Sequence, residues 1–262
     1  AVTCDAFAQA IADANPGSPL ALRLPQFKRW YSQAGTPRVL AEGAFNSEQQ
    51  TFTLTLSQSC AATPDQKQKE AFVIPFTVGL LDAQGQPMGV HLQGDVESQD
   101  HQQFSKTLVL SEHTQSFVFE NIASTPTPSL LRNFSAPVNL DCMLTEEQWL
   151  TLLAHDTDAF NRWEAGQRLA VQAALRFIRG NHNPQTEAVL GNDYLHAMQV
   201  VLANPDLDSA FKELVLTLPS ETYISEQLES VDPQQVHAVR EAMKLQLAQA
   251  LQTDWQTCYE QN

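Results

Sequence analysis

Hydrophobic and polar positions follow three successive patterns along the chain, and each pattern predicts a different kind of structure. Over residues 3–14 the apolar Phe7, Ile11 and Ala14 recur at helical spacing. A second short helical stretch follows and ends at Gly35-Thr36-Pro37, because glycine and proline interrupt helices. The pattern therefore predicts two helices before residue 37, with Thr3 as the N-cap of the first.

Residues 37–141 change to strand spacing. Gln50–Gln58 alternates apolar and polar side chains, whereas Phe72–Leu81 is more continuously apolar, as in a strand buried on both faces. Further strands are predicted at Lys106–Leu110, Ser116–Glu120 and Leu130–Leu140, with Pro137 restricting the second half of the last one to an edge. Several short strands over about 100 residues predict an antiparallel sandwich of immunoglobulin-like size, without the Cys…Trp…Cys pattern of antibody domains.

From Thr145 onward the chain is predicted to be helical throughout. Thr145 and Gln148 form a capping box, and Gly180 suits the C′ position of the helix before it. The predicted helices then span residues 158–179, 193–203, 208–216 and 220–229, and a last helix runs from Asp232-Pro233 through Trp255. Short helices with brief loops favour an α-solenoid or bundle.

The patterns together predict a multidomain chain of 262 residues. A helical segment (1–36) precedes an immunoglobulin-like antiparallel β-sandwich (37–141), and an all-α domain (142–262) follows. The chain starts at Ala1 and not at a methionine, with a helix at once, which suggests that it is part of a longer polypeptide.

Charge and composition exclude several partners. The net charge is −15, and the parts before and after residue 141 carry −5 and −10, so neither offers a basic face for nucleic acid. No apolar run has the roughly 20 residues needed to span a bilayer, and no secretory signal is visible. The four cysteines are scattered without paired spacing, which predicts reduced thiols in a cytosolic protein.

Motifs that could perform chemistry are missing. A zinc helix needs two histidines four residues apart, but no two of the seven histidines are that close. The chain also lacks Gly-x-Ser-x-Gly and every glycine-rich phosphate loop. We therefore predict no catalytic, cofactor-binding or metal-binding residue in this chain.

Three groups of side chains could be mistaken for functional sites. The carboxylate pairs Glu146/Glu147 and Asp156/Asp158 lie beside helix starts, where capping explains them. The residues around Trp163, namely Arg162, Glu164 and Arg168, fit an exposed helix pair. The aromatic stripe of Phe27, Trp30 and Tyr31 fits packing against a sandwich edge.

Several stretches, in order and over nearly the whole chain, resemble bacterial aminopeptidase N, a family of gluzincin-type zinc metallopeptidases. They are Arg29–Pro37 (RWYSQAGTP), Thr63–Gln66 (TPDQ), Pro128–Val138 (PSLLRNFSAPV), Asp158–Gln167 (DAFNRWEAGQ) and Leu216–Ser220 (LTLPS). The family's zinc helix, His-Glu-x-x-His with a downstream glutamate, and its Gly-x-Met-Glu-Asn loop have no counterpart here. No catalytic residue can be carried over.

The resemblance implies that residues 1–36 are the tail of a catalytic domain, 37–141 a sandwich spacer, and 142–262 the first part of a helical cap over the active-site cavity. It further implies a bacterial cytoplasmic parent enzyme that uses zinc to remove N-terminal amino acids from peptides. In that case the partners of this chain are the rest of its own polypeptide, and the chain itself binds no zinc, nucleic acid or membrane.

Two alternatives remain open from sequence. The chain could be a stand-alone scaffold module that binds peptides or proteins, or a carbohydrate-binding sandwich, although no row of exposed aromatics on a strand can be placed. The leading hypothesis also predicts exposed apolar surface on residues 1–36 and on the last helices.

Overall fold

A computed structural model describes residues 2–95, 103–180 and 182–261. The chain forms two compact units, residues 1–143 and residues 144–262. The helical segment thus belongs to the same compact unit as the sandwich. The three-part division at residues 36 and 141 stays a prediction.

The first unit begins with four helices, and Thr3 caps the first of them as expected. The backbone N–H of Ala6 donates to Thr3 Oγ1 at 3.1 Å. The small Ala8 and Ala12 face a satellite core, whereas the side chain of Phe7 on the predicted stripe is 60% exposed. The helices are α1 (Cys4–Ala14), α2 (Pro19–Leu22), α3 (Leu24–Phe27) and α4 (Arg29–Ser32).

Nine described strands form the two sheets of the first unit. They are β1 (Arg38–Asn46), β2 (Thr51–Ser59), β3 (Ile74–Leu81), β4 (Pro87–Met88), β5 (His91–Leu92), β6 (Lys106–Leu110), β7 (Thr114–Glu120), β8 (Thr127–Leu130) and β9 (Asn139–Cys142). One sheet has the order β5-β7-β2-β1-β9, and the other has β4-β3-β6 with β8 also paired to β3. All these pairings are antiparallel except the parallel β1–β9 pair.

The core of the first unit lies on the buried faces of both sheets. In β2, Phe52, Leu54 and Leu56 are buried while the intervening threonines are half-buried, which confirms the predicted alternation. In β3 the prediction of burial on both faces holds only for the second half, because Pro75 is exposed. Gly79 lies in the fully buried half, where an added Cβ would lie 2.3 Å from the Arg132 guanidinium.

The predicted strand at 130–140 is wrong. Strand β8 ends at Leu130, and Leu131, Asn133 and Phe134 have left-handed φ angles of 54°, 55° and 49° that no strand accommodates. A 3₁₀ turn over Arg132–Phe134 replaces the strand. The chain then enters β9, which begins after Pro137 and is an edge strand paired with β1.

The second unit is helical. Its helices are α5 (Glu146–His155), α6 (Ala159–Arg179), α7 (Asn192–Ala203), α8 (Ser209–Leu216), α9 (Glu221–Ser225), α10 (Pro233–Ala250) and α11 (Gln252–Gln261). The capping box is confirmed: Gln148 N–H donates to Thr145 Oγ1 at 3.2 Å, and Thr145 N–H donates to Gln148 Oε1 at 3.0 Å. Asp232 caps α10 as predicted, with Pro233 in its first turn.

Three helix ends differ from the prediction. Helix α9 stops at Ser225, because the next N–H groups turn back to carbonyls three residues earlier. The last predicted helix is broken at Leu251, whose φ of −106° and ψ of 14° separate α10 from α11. Gly180 has φ −78° and not a left-handed conformation. A glycine fits there because an added Cβ would lie 2.4 Å from the His182 ring.

Candidate functional site

Three of the four carboxylates in the pairs beside helix starts make structural contacts, namely Glu146, Asp156 and Asp158. Glu146 in the first turn of α5 accepts two hydrogen bonds from the Arg176 guanidinium at 2.9 and 3.1 Å. Asp158 accepts the N–H of Asn161 at 2.9 Å and caps α6, while Asp156 accepts the N–H of Asp158 at 2.9 Å. Through these contacts the aspartates cap backbone N–H groups at the start of α6, and Glu146 forms an ion pair with the exposed Arg176.

Arg162 is not the exposed residue that the sequence predicted. It is 4% exposed, and its Nε and Nη2 donate to the backbone carbonyl of Asp156 at 2.9 and 2.6 Å. Burial lowers the pKa of Arg162, and the charge of Asp156 opposes that shift. Arg162 therefore ties the first turn of α6 to the end of α5.

Glu164 and Arg168 form the expected i, i+4 pair, with Arg168 Nε 2.6 Å from Glu164 Oε1. Both side chains are half-buried and not exposed, because the Arg168 guanidinium lies 5.0 Å from the ring centroid of Trp149. The pair and the cation–π contact thus link α6 to Trp149 on α5.

The histidines of the described residues are spread over both units. His182 pairs with Glu187 and His237 with Glu221, each at 2.8 Å, while His101 lies outside the described residues. Within residues 2–95, 103–180 and 182–261, no three His, Cys, Asp or Glu side chains are grouped so that they could hold a metal ion. The residues described do not fit a zinc ion.

A polar and aromatic contact joins the N-terminal helices to the sandwich. We call it the seam: Gln26, Arg29, Trp30 and Gln33 meeting residues 66–73. Trp30 Nε1 donates to the carbonyl of Val73 at 2.8 Å, and its ring lies 4.6 Å from that of Phe72. Of the predicted aromatic stripe, Phe27 and Trp30 pack against core clusters, whereas Tyr31 is exposed.

Glutamine side chains also contribute to the seam, because they form hydrogen bonds with backbone N–H and carbonyl groups. Gln33 Nε2 donates to the carbonyl of Glu70, and Glu70 N–H donates back to Gln33 Oε1, both at 2.9 Å. Gln66 accepts from the N–H of Ala34 at 2.8 Å and donates to the carbonyl of Ser32 at 2.6 Å. Sequence reasoning did not identify these glutamines, because nothing in a single glutamine distinguishes a bridging one from a solvated one.

Exposed apolar side chains lie on α1 and on the last two helices, as predicted. Phe7 and Ile11 project from α1, and Leu245, Trp255 and Tyr259 from α10 and α11, with Tyr259 86% exposed. Large apolar side chains are usually buried in folded proteins, and a group of them on the surface often marks a contact site. These surfaces are the best candidates for contact with another protein segment.

One of these surfaces is concave. A groove of about 390 Å³ runs between the segment after α8 and the helices α10 and α11, and we call it the α10 groove. Leu216, Leu218 and Leu247 line it together with Ala248 and Trp255. The cations Arg240 and Lys244 also line it, as do Thr217 and Gln252. Arg240, Lys244 and Ala248 follow each other at steps of four along α10, a spacing that could have been read from the sequence.

Two family models match consecutive parts of the chain. The first, described as a domain of unknown function (DUF3458) with an Ig-like fold, matches residues 35–143. The second, described as a domain of unknown function (DUF3458_C) with ARM repeats, matches residues 146–262. The chain is therefore an Ig-like domain followed by an ARM-like helical domain, which confirms the predicted fold class. Among the described helices, none combines the length and apolar character needed to cross a bilayer.

Curated relatives match along nearly the whole chain. Aminopeptidase N of Escherichia coli is 34% identical over 262 residues, and that of Haemophilus influenzae is 36% identical over 260 residues. Aminopeptidase N of Caulobacter vibrioides is 36% identical over 249 residues. The matches cover 95–100% of this chain but only 26–29% of those proteins.

A solved structure supports the fold. The crystal structure of Legionella pneumophila aminopeptidase A in complex with aspartic acid matches with a TM-score of 0.75 and 24% sequence identity. The match covers 98% of this chain and 27% of that protein. The ordered sequence matches, the two family models and this fold agree. The chain belongs to the bacterial aminopeptidase N family and corresponds to a part of those proteins that consists of an Ig-like and an ARM-like domain.

Proposed function

We propose that this chain is the non-catalytic sandwich and partial helical cap of a zinc aminopeptidase that removes N-terminal amino acids from peptides. The observation that carries the proposal is identity of 34–36% to aminopeptidase N over 95–100% of this chain, across about a quarter of those proteins. Zinc would be held by other parts of the polypeptide, since the described residues do not supply a ligand set.

The properties of the two units suit a supporting role. The seam fixes the N-terminal helices to the sandwich through side chains that bond to backbone groups, which makes a rigid spacer. The ARM-like unit presents exposed apolar side chains and the α10 groove, which suit contact with further protein. The proposed location is the bacterial cytoplasm, and the proposed partners are the rest of the polypeptide and peptide substrates.

The test uses the full polypeptide encoded by the gene that contains this chain. Bound zinc is measured by elemental analysis, and release of amino acids from an aminoacyl p-nitroanilide is followed with and without a chelator. We expect one bound zinc and turnover that the chelator abolishes. A full polypeptide without a zinc-binding motif and without turnover would contradict the proposal.

The second candidate is a stand-alone scaffold that binds a peptide or protein. The observation that favours it is the α10 groove, whose volume lies in the range of ligand pockets. If the gene encodes this chain alone and the chain retains a defined peptide, the scaffold function replaces the first proposal.

A further inference from the structure

The segment that leads into β3 is buried although it belongs to no β-ladder. Residues 69–73 have no regular secondary structure, and β3 begins only at Ile74. Phe72 is 1% exposed and Val73 is 5% exposed. Because buried backbone N–H and carbonyl groups need hydrogen-bond partners, this segment has to find its partners outside a sheet.

Side chains supply these partners. Each of the four successive carbonyl groups from Glu70 to Val73 accepts a hydrogen bond from a side chain. The donors are Gln33 for Glu70, Gln26 and Arg29 for Ala71, Gln58 for Phe72 and Trp30 for Val73, at 2.5–3.2 Å. Gln58 lies on β2, whereas the other donors lie within residues 26–33. The N-terminal helices therefore hold most of this backbone in place.

The loop before this segment also binds the end of α4, and we call residues 63–71 the latch loop. The Gln66 side chain accepts a hydrogen bond from the Ala34 N–H at 2.8 Å. Lys69 Nζ donates to the carbonyl of Ala34 at 2.8 Å and to Thr63 Oγ1 within the loop at 2.9 Å. Backbone hydrogen bonds of 3.0 and 3.1 Å between Thr63 and Gln66 close a turn in the loop. The latch loop and the end of α4 thus hold each other.

The N-terminal helices form a body with a core of its own. Ala8, Ala12 and Leu24 make a buried cluster that is separate from the cluster inside the sandwich. Trp30 packs against the sandwich cluster. Gly35 lies between α4 and β1 and has a φ of 100°, a left-handed conformation that glycine adopts without strain. Side-chain hydrogen bonds and the Trp30 ring therefore hold this body to the sandwich.

We propose that the latch loop and helices α1–α4 open and close together as one cooperative unit, hinged near Gly35, while the sandwich core stays folded. Opening releases the backbone of Glu70 and Ala71. It also uncovers Phe72, whose ring lies 4.6 Å from the ring of Trp30 in the closed state. The seam is then a conformational device that makes the order of the chain entering β3 depend on the position of the N-terminal helices. This inference does not rest on the proposed function.

Phe72 marks the boundary of the device. Its N–H donates to Gln58 Oε1 at 2.7 Å, and its carbonyl accepts from Gln58 Nε2 at 2.9 Å. Gln58 is 6% exposed, and its Nε2 also donates to the carbonyl of Glu112 at 2.9 Å. These bonds do not involve the helices. Phe72 therefore remains with the sandwich when the unit opens, whereas Glu70, which is bonded to Gln33, does not.

The experiment is native-state hydrogen exchange of the 262-residue chain, followed by NMR at increasing low concentrations of denaturant. We expect the amides of Phe27, Ala34 and Glu70 to exchange through one opening, with the same free energy and the same denaturant dependence. The Phe72 amide and the amides of β2 should exchange only when the sandwich unfolds. Exchange of Glu70 in step with Phe72 would overturn the inference, and so would different openings for Phe27 and Ala34.

Two matched glutamine substitutions supply a second readout, because each glutamine makes a pair of hydrogen bonds to one residue of the segment. Gln33→Ala weakens the closed state. It should lower the protection of the Phe27 and Ala34 amides, whose hydrogen bonds do not involve the Gln33 side chain, by the same factor of roughly ten. A loss confined to the Glu70 amide would overturn the inference.

Gln58→Ala is the control, because the bonds of Gln58 persist in the open state. It should lower the protection of the β2 amides at least as much as Gln33→Ala does, and leave the protection of Phe27 and Ala34 unchanged. If Gln58→Ala lowers the protection of Phe27 and Ala34 by the same factor as that of β2, the helices open only with the sandwich and the inference fails.

Discussion

The seam and the α10 groove are two helix surfaces with different surroundings. The seam packs against the sandwich, whereas the groove is open. At the seam, Trp30 and Gln33 bond directly to backbone groups of residues 70–73, so that the polar atoms and the ring all have partners within the unit. At the α10 groove, Trp255 and Lys244 border open space. We therefore expect the seam side chains to stabilise their own unit more than Trp255 and Lys244 stabilise theirs.

The substitution Trp30→Ala at the seam is the most stringent test of this difference. The substitution removes the packing on Phe72 and the hydrogen bond to Val73, and we expect a loss of about 2–4 kcal/mol in the free energy of unfolding of the first unit. Because the chain has two compact units, hydrogen exchange of the β3 amides measures that unit separately. The control Tyr31→Ala, at an exposed neighbour, should cost much less. Equal losses would contradict the role given to the seam.

Gln66→Ala tests the polar half of the seam. The change removes the acceptor for Ala34 N–H and the donor to the carbonyl of Ser32, and we expect a loss of about 1–2 kcal/mol because backbone groups lose their partners. The same exchange measurement applies. Gln68→Ala is the control, since Gln68 is exposed two residues away. A Gln66 variant as stable as the Gln68 variant would show that water replaces these bonds at no cost.

Trp255→Ala in the isolated 262-residue chain gives the contrast to Trp30→Ala. The ring borders an open groove, so its removal should change the free energy of unfolding of the second unit by less than about 1 kcal/mol. We expect binding of an anionic apolar dye to fall in the same variant, because such a dye would contact the apolar groove residues, including Trp255, and Lys244. A loss as large as that of Trp30→Ala would mean that the groove is an internal part of its unit.

The smallest predicted effect is a pH dependence in the loop after α6. Hydrogen bonds from the Asn183 N–H and from His182 lower the pKa of Glu187 below its ordinary 4.5. A lowered pKa in the folded state contributes stability above the ordinary value, and this contribution is lost as the pH falls from 4.5 through the lowered pKa. The protection of the Asn183 amide against hydrogen exchange, measured relative to the intrinsic rate at each pH, should therefore fall on acidification in the native chain. In Glu187→Gln this loss of protection should be absent, and its persistence would contradict the assignment.

The sequence was sufficient to predict those elements whose structure is determined by adjacent residues. Thr145 with Gln148, Asp158 and Asp232-Pro233 placed three helix starts correctly, because capping depends on a few adjacent residues. The alternation in Gln50–Gln58 likewise identified β2.

Features that depend on distant residues were not predicted. The left-handed Leu131 and Asn133 end a strand that hydrophobicity alone would have continued. Arg162 was expected on the surface, and it is buried because its guanidinium finds the carbonyl of Asp156. The seam glutamines and the α10 groove depend on which segments meet, and that information is absent from any single stretch of sequence.

We propose that this chain supports an aminopeptidase and performs no chemistry itself. The most direct test is an assay of the purified 262-residue chain with an aminoacyl p-nitroanilide, with added zinc and with a chelator. We predict no turnover under either condition. Turnover that co-purifies with the folded chain, either with added zinc or in the presence of the chelator, would contradict the claim.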